Sequence, residues 1–210
     1  MGNWIRRLYR WACHRLYNEF AWAYDGVSWL VSLGHWWGWR RAALDYLLGP
    51  RVLEVGFGTG DLLMEMARQG WDVCGLELSP AMQRITARKM HRHRVWVPRV
   101  RGLVQAMPFP DRTFNSIVST FPAEFILQPP SWQEFSRVLV PSGRVIVTGV
   151  GLRTNSRFLQ QLLCTVFGNL EQGQDAWHEK VAATAGLKVT EIEDREQPIR
   201  VPVIIAEKLA

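Results

Sequence analysis

Three glycines at alternate positions follow a short apolar run in this chain. The run covers residues 52–55, and Gly56, Gly58 and Gly60 come directly after it, before a helical pattern that begins at Asp61. An apolar run of this length is typical of a buried strand. Glycine lets the backbone turn sharply and approach a ligand closely. The spacing therefore predicts a ligand-binding unit of strand, loop and helix.

Three kinds of nucleotide ligand are compatible with a glycine loop, and the neighbouring residues separate them. A Walker loop needs a Lys-Ser/Thr pair after its last glycine, and this chain has none there. A dinucleotide fingerprint needs a small third residue, but Asp61 stands at that position and would repel a pyrophosphate. A phosphate-free nucleoside with a cationic centre remains. S-adenosylmethionine, with its sulfonium and its ammonium, is such a ligand.

Two acids support this interpretation. Glu54 lies within the first strand, and Glu77 follows the second strand, 17 residues beyond Gly60. An acid at the position of Glu77 accepts hydrogen bonds from both hydroxyls of a ribose. A tight turn without a ligand would explain the glycines but not the two acids.

Strand and helix patterns alternate from residue 51 onward, which predicts a mostly parallel sheet with helices on both faces. Ligands are then expected at the carboxyl ends of the strands. Ser79-Pro80 begins one helix as N-cap and first residue, and Ser131-x-x-Glu134 is interpreted as a capping box. The predicted strands are 51–55, 72–76, 100–105, 116–120, 144–148, 187–193 and 201–206, and the predicted helices are 4–20, 36–48, 61–69, 79–90, 131–140, 155–169 and 175–185.

Four segments resemble the ubiquinone/menaquinone-biosynthesis group of class I S-adenosylmethionine-dependent methyltransferases. Residues 54–60 (EVGFGTG) look like motif I, and residues 75–82 (GLELSPAM) resemble the segment after the second strand. Residues 107–118 (MPFPDRTFNSIV) are similar to the group's LPFPDxxFDxV, and residues 137–146 (RVLVPSGRVI) to its RVLKPGGxxxI. The resemblance is strong over residues 50–150.

The resemblance implies a Rossmann-like sheet of seven strands in the order 3-2-1-4-5-7-6, with the seventh strand antiparallel. It implies methyl transfer from S-adenosylmethionine to a small or lipid-like acceptor, of the quinone-precursor, phenolic or phospholipid class. It also implies a set of residues that contact this cofactor. They are Glu54, Gly56, Gly58, Gly60, Glu77, Leu78, Met82, Gln105, Ala106 and Thr120.

Two positions depart from the pattern of the group. Val104-Gln105-Ala106 stands where the group has Gly-Asp-Ala, and the amide oxygen of Gln105 can still accept a hydrogen bond from the adenine amino group. Asn115 replaces an Asp at a position that is commonly structural. Both changes bear on affinity for the cofactor more than on the fold.

The N-terminal part, residues 1–49, is expected to form a helical extension or lid over a methyltransferase domain of residues 50–210. Tyr24-Asp25 and residues 32–40 resemble the "YD…SxG…WR" pattern of the same group, in which this segment closes over the methyl donor. Tyr24 and Arg40 are thus candidates to contact the donor's carboxylate. Alternatively, the tryptophans of this segment simply pack the extension onto the core.

Methyl transfer from a sulfonium needs alignment and exclusion of water more than it needs a covalent intermediate. A general base is required only if the acceptor must lose a proton. His35 and Tyr24 are the catalytic candidates, and Asp25 and Glu124 are further acids near the expected mouth. The ordinary pKa of histidine suits proton transfer at neutral pH, which favours His35.

Residues 4–20 predict an amphipathic helix with a tryptophan-rich face and an arginine-rich face. Such a helix either lies in a bilayer interface, in keeping with a lipid-like acceptor, or covers the chain's own active site. A mitochondrial transit peptide has a similar composition, but no cleavage site is evident. No segment reads as a transmembrane span.

The formal net charge of +6 allows anionic partners without choosing among them. Residues 78–110 contain seven Lys/Arg and no acid, a pattern interpreted as a solvated face rather than a nucleic-acid site. The three cysteines predict no disulfide framework and no zinc site, so a cytoplasmic location, with an optional peripheral membrane contact, is expected. The sequence does not specify an oligomeric state.

Two other functions compete with methyl transfer. One is a non-catalytic interaction protein that binds S-adenosylmethionine, and the other is a dinucleotide-dependent oxidoreductase. Asp61 argues against the oxidoreductase because it replaces the third glycine of the fingerprint.

Overall fold

A computed structural model describes residues 34–154, 177–192 and 199–209, together with the single residues 15, 26, 29 and 32. Seven strands form one sheet, and two short strands pair separately. In chain order the strands are β1 (Arg51–Val55), β2 (Asp72–Leu76), β3 (Arg99–Val100), β4 (Phe114–Thr120), β5 (Leu139–Thr148), β6 (Arg153–Thr154), β7 (Leu187–Ile192), β8 (Ile199–Arg200) and β9 (Val203–Lys208).

The sheet has the order β3-β2-β1-β4-β5-β9-β7. Strands β1 to β5 pair in parallel, and β9 is antiparallel to both of its neighbours, β5 and β7. Counting only the strands of this sheet, the order is 3-2-1-4-5-7-6 with the seventh strand antiparallel. The predicted Rossmann-like topology is therefore confirmed.

Successive strand residues point to opposite faces of the sheet, and apolar side chains lie on both faces. Helices therefore cover both faces. They are α1 (Trp36–Arg41), α2 (Asp61–Arg68), α3 (Pro80–His93), α4 (Pro129–Val138) and α5 (Trp177–Ala183). Leu62 of α2 and Met90 of α3 belong to the same buried cluster as Val52 of β1. Trp132 of α4 packs in the opposite cluster, with Leu53 of β1. The two clusters fix which face each helix covers.

Three predicted elements differ from the structure. The third strand has only the two residues of β3, and a 3-10 turn, Val104–Ala106, follows it. The helix predicted for residues 36–48 is interrupted, since α1 ends at Arg41 and a 3-10 turn covers Leu44–Tyr46. The strand predicted for 144–148 begins earlier, at Leu139, and contains a bulge, where Leu139 pairs with Phe114 and the next pair is Arg144 with Ser116.

The capping-box prediction for Ser131 and Glu134 is wrong. The prolines at 129 and 130 need no N–H partner, so α4 begins two residues earlier and Ser131 is buried inside it. Glu134 instead accepts hydrogen bonds from the Met107 N–H at 2.6 Å and from Arg137 at 2.6 and 2.8 Å. The Arg137 guanidinium therefore holds the pKa of Glu134 below its usual range.

Asn115 has a structural role, as its position suggested. Its side-chain oxygen accepts the Arg51 N–H at 3.1 Å and so joins β4 to the start of β1. An aspartate could accept the same bond, so the substitution leaves the fold intact. The helices predicted for 4–20 and 155–169 lie outside the described residues, and the domain boundary at residue 49 stays a prediction.

Candidate cofactor site at the carboxyl edge of the sheet

The loop from β1 to α2 bends over the carboxyl edge of the sheet through three left-handed glycines. Gly56, Gly58 and Gly60 have φ values of 70°, 58° and 78°. A side chain on Gly58 would meet no atom within 4 Å, whereas one on Gly60 would lie 2.4 Å from Thr86 Cγ2 of α3. Gly58 thus borders open space, Gly56 faces the Phe125 ring at 3.6 Å, and Gly60 lets α2 pack against α3.

A small cleft lies over this loop. It is bordered by residues of the loop after β1, of β4 and of α1. The lining residues are Trp36, Arg40, Gly56, Phe57, Gly58, Thr59 and Thr120.

Glu77 follows β2, and its carboxylate accepts hydrogen bonds from backbone N–H groups. One carboxylate oxygen accepts the Gly58 N–H at 3.1 Å, and the other accepts the Ser79 N–H at 2.8 Å. Burial raises the pKa of Glu77, and these backbone hydrogen bonds oppose the rise. Each carboxylate oxygen has a second lone pair, so the group can still accept bonds from a ligand.

Glu54 is the most buried acid of the site, with no exposed surface. Arg40 Nη2 lies 3.4 Å from one of its oxygens, and Arg40 Nε donates to Thr120 Oγ1 at 3.2 Å. The other oxygen, Oε2, has no hydrogen-bond partner among the described residues.

Burial raises the pKa of Glu54 to about 8, although Arg40 opposes this. The contact with Arg40 is longer than a strong charge-assisted hydrogen bond, so it offsets only part of the cost of burying the charge. The free oxygen and the raised pKa mark a carboxylate that lacks a second cationic donor.

An aromatic cluster packs around Trp36, whose side chain lines the cleft. The ring of Phe121 lies 4.0 Å from that of Trp36 and 6.2 Å from that of Trp39, measured between centroids. Phe121 has a φ of 50°, which is strained for a bulky residue. A side chain on Gly149 would approach the Phe121 ring to 2.5 Å, so glycine is required there. Sequence reasoning missed Phe121, whose only signal is its place directly after β4.

The residues expected around the adenine lie along the same edge. Leu78 is half exposed, and Met82 is fully buried in the first turn of α3. The Gln105 amide donates to Gln128 Oε1 at 2.8 Å, which leaves the amide oxygen of Gln105 available, and Ala106 beside it is exposed.

The catalytic candidates are less well placed. His35 is exposed at the N-cap of α1, with its ring 6.1 Å from that of Trp39 and nearly parallel to it. Glu124 is exposed in the 3-10 turn Glu124–Leu127. Tyr24 and Asp25 lie outside the described residues.

Two negative findings apply to the described part of the chain. Its His, Cys, Asp and Glu side chains form no group of three or more that could hold a metal ion. None of its helices is long and apolar enough to cross a membrane.

Residues 52–143 match the family model described as a methyltransferase domain. The chain is 33% identical over 138 residues to a demethylmenaquinone methyltransferase of Thermus thermophilus, covering 63% of each chain. It is 31% identical over 142 residues to a ubiquinone/menaquinone biosynthesis C-methyltransferase of Geobacter sulfurreducens, covering 63% of this chain and 55% of that one. The matched region thus spans less than two thirds of these curated relatives.

The solved structures agree on the fold. A geranyl diphosphate C-methyltransferase from Streptomyces coelicolor, in complex with Mg²⁺, geranyl diphosphate and S-adenosyl-L-homocysteine, has a TM-score of 0.61 at 17% identity. The match covers 81% of this chain and 78% of that one. Sequence and fold together confirm that this chain resembles the class I S-adenosylmethionine-dependent methyltransferases of the ubiquinone/menaquinone-biosynthesis group.

Proposed function

We propose that this chain transfers the methyl group of S-adenosylmethionine to a small or lipid-like acceptor of the quinone-precursor, phenolic or phospholipid class. The observation that carries the proposal is the free Glu54 Oε2, buried at the carboxyl edge of the sheet beside the glycine loop. A cationic ligand would supply the missing hydrogen bond. The names of the curated relatives support the choice of reaction and of acceptor class.

The residues of the cleft fit this cofactor. Glu54 would accept from its ammonium, and Arg40 or Tyr24 would bind its carboxylate. The backbone at Gly58 leaves room for it, because a side chain there would meet no atom within 4 Å. Glu77 would receive the ribose hydroxyls, with Leu78, Met82, Gln105 and Ala106 near the adenine. Thr120 would orient Arg40, because its hydroxyl oxygen already accepts a hydrogen bond from Arg40 Nε.

When bound, S-adenosylmethionine supplies a methyl group on an activated sulfonium. The protein's part is then to align the acceptor and to exclude water. Trp36 would contribute to the exclusion because it lines the cleft, and Phe121 supports it by packing against its ring. His35 and Tyr24 remain the proposed proton acceptors for an acceptor that must lose a proton.

Residues 1–49 act in this proposal as the lid of the cofactor cleft. The placement of Trp36 and Arg40 in the lining supports that role. Residues 4–20 are proposed to bring a lipid-like acceptor into reach by binding a membrane surface. Flotation of the intact chain with liposomes, against a chain lacking residues 1–18, tests this step. Equal recovery of both proteins with the liposomes would exclude it.

Calorimetry and product analysis test the function. The parent should bind S-adenosylmethionine, and Glu77→Ala should bind it at least about tenfold more weakly, because a buried charged hydrogen-bond acceptor is lost. Glu179→Ala, which removes an exposed acid of α5, is the matched control and should bind like the parent. Mass spectrometry of quinol, phenolic and phospholipid acceptors then identifies methylated product. Cofactor binding without any product would favour the non-catalytic alternative, which the relatives' names do not support.

A further inference from the structure

Helix α3 carries three exposed arginines in one line along its outer side. Arg84, Arg88 and Arg92 are spaced four residues apart and are all exposed. Residues four apart lie on the same side of a helix, about one turn from each other. The opposite side of α3 is buried against the sheet through Met82, Thr86 and Met90. The three guanidinium groups therefore project from one flank of the molecule.

No described acid is paired with this line of charge. Residues 78–110 contain no acid, and among the described residues no carboxylate forms an ion pair with any of the three arginines. The ion pair on this helix joins Lys89 to Asp61 at 2.9 Å, away from the line. Like charges four residues apart destabilise a helix. The helix dipole favours Arg92 in the last turn but gives no advantage to Arg84 in the second turn.

An exposed aromatic residue follows the end of α3 in the chain. Trp96 is 79% exposed, although both of its neighbours, Val95 and Val97, pack into the core. The chain around Trp96 is thus anchored, and the indole is held outward. Arg94, exposed at the C-cap of α3, adds a further positive charge. We name this surface of Arg84, Arg88, Arg92, Arg94 and Trp96 the basic face.

The shape of the basic face distinguishes a bilayer from a nucleic acid. Because α3 is packed into the helix layer along its whole inner side, it forms part of a broad flank and cannot enter a groove. Arginine side chains reach the headgroups of anionic lipids, and a tryptophan lies well at the interface between headgroups and acyl chains. We propose that the basic face docks this protein on an anionic membrane surface.

The position of the face leaves the cofactor cleft accessible. Helix α3 begins at the carboxyl edge of the sheet, where its N-cap Ser79 contacts Glu77, and runs away from that edge. A bilayer along α3 would lie beside the cleft without covering it. The docking does not depend on methyl transfer, and it can be tested without any substrate.

Sedimentation of the full chain with vesicles tests the proposal. One set of vesicles is pure phosphatidylcholine, and the other contains phosphatidylglycerol in addition. A triple variant, Arg84→Gln, Arg88→Gln and Arg92→Gln, should lose roughly a hundredfold of the affinity for the anionic vesicles. It should fold at least as well as the parent by circular dichroism, because like-charge repulsion is removed. The control triple Arg112→Gln, Lys180→Gln and Lys188→Gln removes the same charge from exposed positions elsewhere and should bind like the parent.

Trp96 provides a second, independent comparison. Trp96→Gln should weaken binding to the anionic vesicles severalfold, whereas Leu209→Gln, at another exposed apolar residue, should not. The proposal is overturned if the arginine triple and the control triple bind vesicles equally. It is also overturned if the parent binds neutral and anionic vesicles alike, or if a single-stranded RNA binds more tightly than the vesicles and only the arginine triple loses it.

Discussion

Two neighbouring strands end in the same cleft, and each contributes a buried glutamate that is held in a different way. Glu77, after β2, is held by backbone N–H groups of Gly58 and Ser79. Glu54, in β1, is held by the side chain of Arg40 from the N-terminal extension and keeps one oxygen without a partner among the described residues. Glu77 is thus part of the loop's own structure. Glu54 instead relies on the long side chain of Arg40 and on a ligand for its hydrogen bonds.

The difference shows which acid already has hydrogen-bond donors on both oxygens and which one still lacks a donor. Backbone donors are fixed by the fold, so Glu77 is satisfied before any ligand arrives. Burial of the Glu54 carboxylate is only partly offset by Arg40, and the pKa of about 8 reflects this.

The pH dependence of stability should separate the parent from Glu54→Gln. The pKa of Glu54 is raised in the folded state, so its contribution to stability is fully present below the unfolded value of 4.5 and is lost as the pH rises to about 8. Within this window each pH unit should cost about 1.4 kcal/mol. Denaturant unfolding at several pH values measures the slope. Glu54→Gln should lose most of it and keep only the part that Glu77 contributes, while Glu179→Gln should retain it all. Equal slopes in parent and Glu54→Gln would contradict the comparison.

The glycine loop between β1 and α2 should respond unequally to alanine substitution at Gly58 and at Gly60. Gly58 and Gly60 both have positive φ, so each substitution strains the backbone by about 1 to 2 kcal/mol. Only at Gly60 does the new Cβ meet Thr86, at 2.4 Å, and overpacking adds about 1 to 3 kcal/mol. Thermal unfolding should therefore rank Gly60→Ala below Gly58→Ala. Adding Thr86→Ala should recover part of the loss at Gly60. A recovery of the same size in Gly58→Ala would show that the contact is not the cause.

Binding of S-adenosylmethionine should release a proton near neutral pH. Its ammonium would favour the ionised form of Glu54, which is largely protonated below about pH 8 in the free protein. Calorimetry in two buffers with different ionisation enthalpies measures the release. Glu54→Gln should release less and bind about ten to a hundredfold more weakly, as expected for one charged hydrogen bond. Unchanged release in that variant would assign the proton to another group.

Glu77→Gln is expected to have the smallest effect, a small loss in the free energy of unfolding. An amide has one acceptor oxygen, so one of the two backbone hydrogen bonds at the loop is lost, at a cost of about 1 kcal/mol. Unfolding in denaturant measures this cost against Glu179→Gln. A cost larger than that of Gly60→Ala would show that Glu77 carries more of the loop's stability than its two bonds explain.

The sheet was predictable from the sequence because its signals are local. Periodicity and turn residues specify β1, β2 and the start of α3 at Ser79-Pro80, and the family-like motifs carry the strand order. The bulge in β5 was not predictable, since it depends on how Leu139 and Arg144 pair with a different strand. Strand β3 is short for a similar reason: its length depends on β2, its only pairing partner in the described sheet.

The site was predictable in its chemistry and less so in its geometry. The two acids and the glycines follow from spacing along the chain. The contact between Arg40 and Glu54 joins residues 14 apart across a loop, and only the resemblance suggested a role for Arg40. Phe121 has no sequence signal beyond its place after β4, because a strained φ and a ring packed on Trp36 arise from tertiary contacts.

The place of β9 in the sheet also constrains the order in which the chain assembles. Strand β9 lies between β5 and β7, although it follows both in the chain. Strand β7 therefore cannot pair with the sheet until β9 has been added. During synthesis on the ribosome, β1 to β5 can pair as they emerge, whereas β7 must wait with its edge unsatisfied. Such delayed, long-range pairing slows folding and exposes an edge to other chains. Aggregation through unpaired strand edges is therefore most to be expected before β9 pairs with β5 and β7.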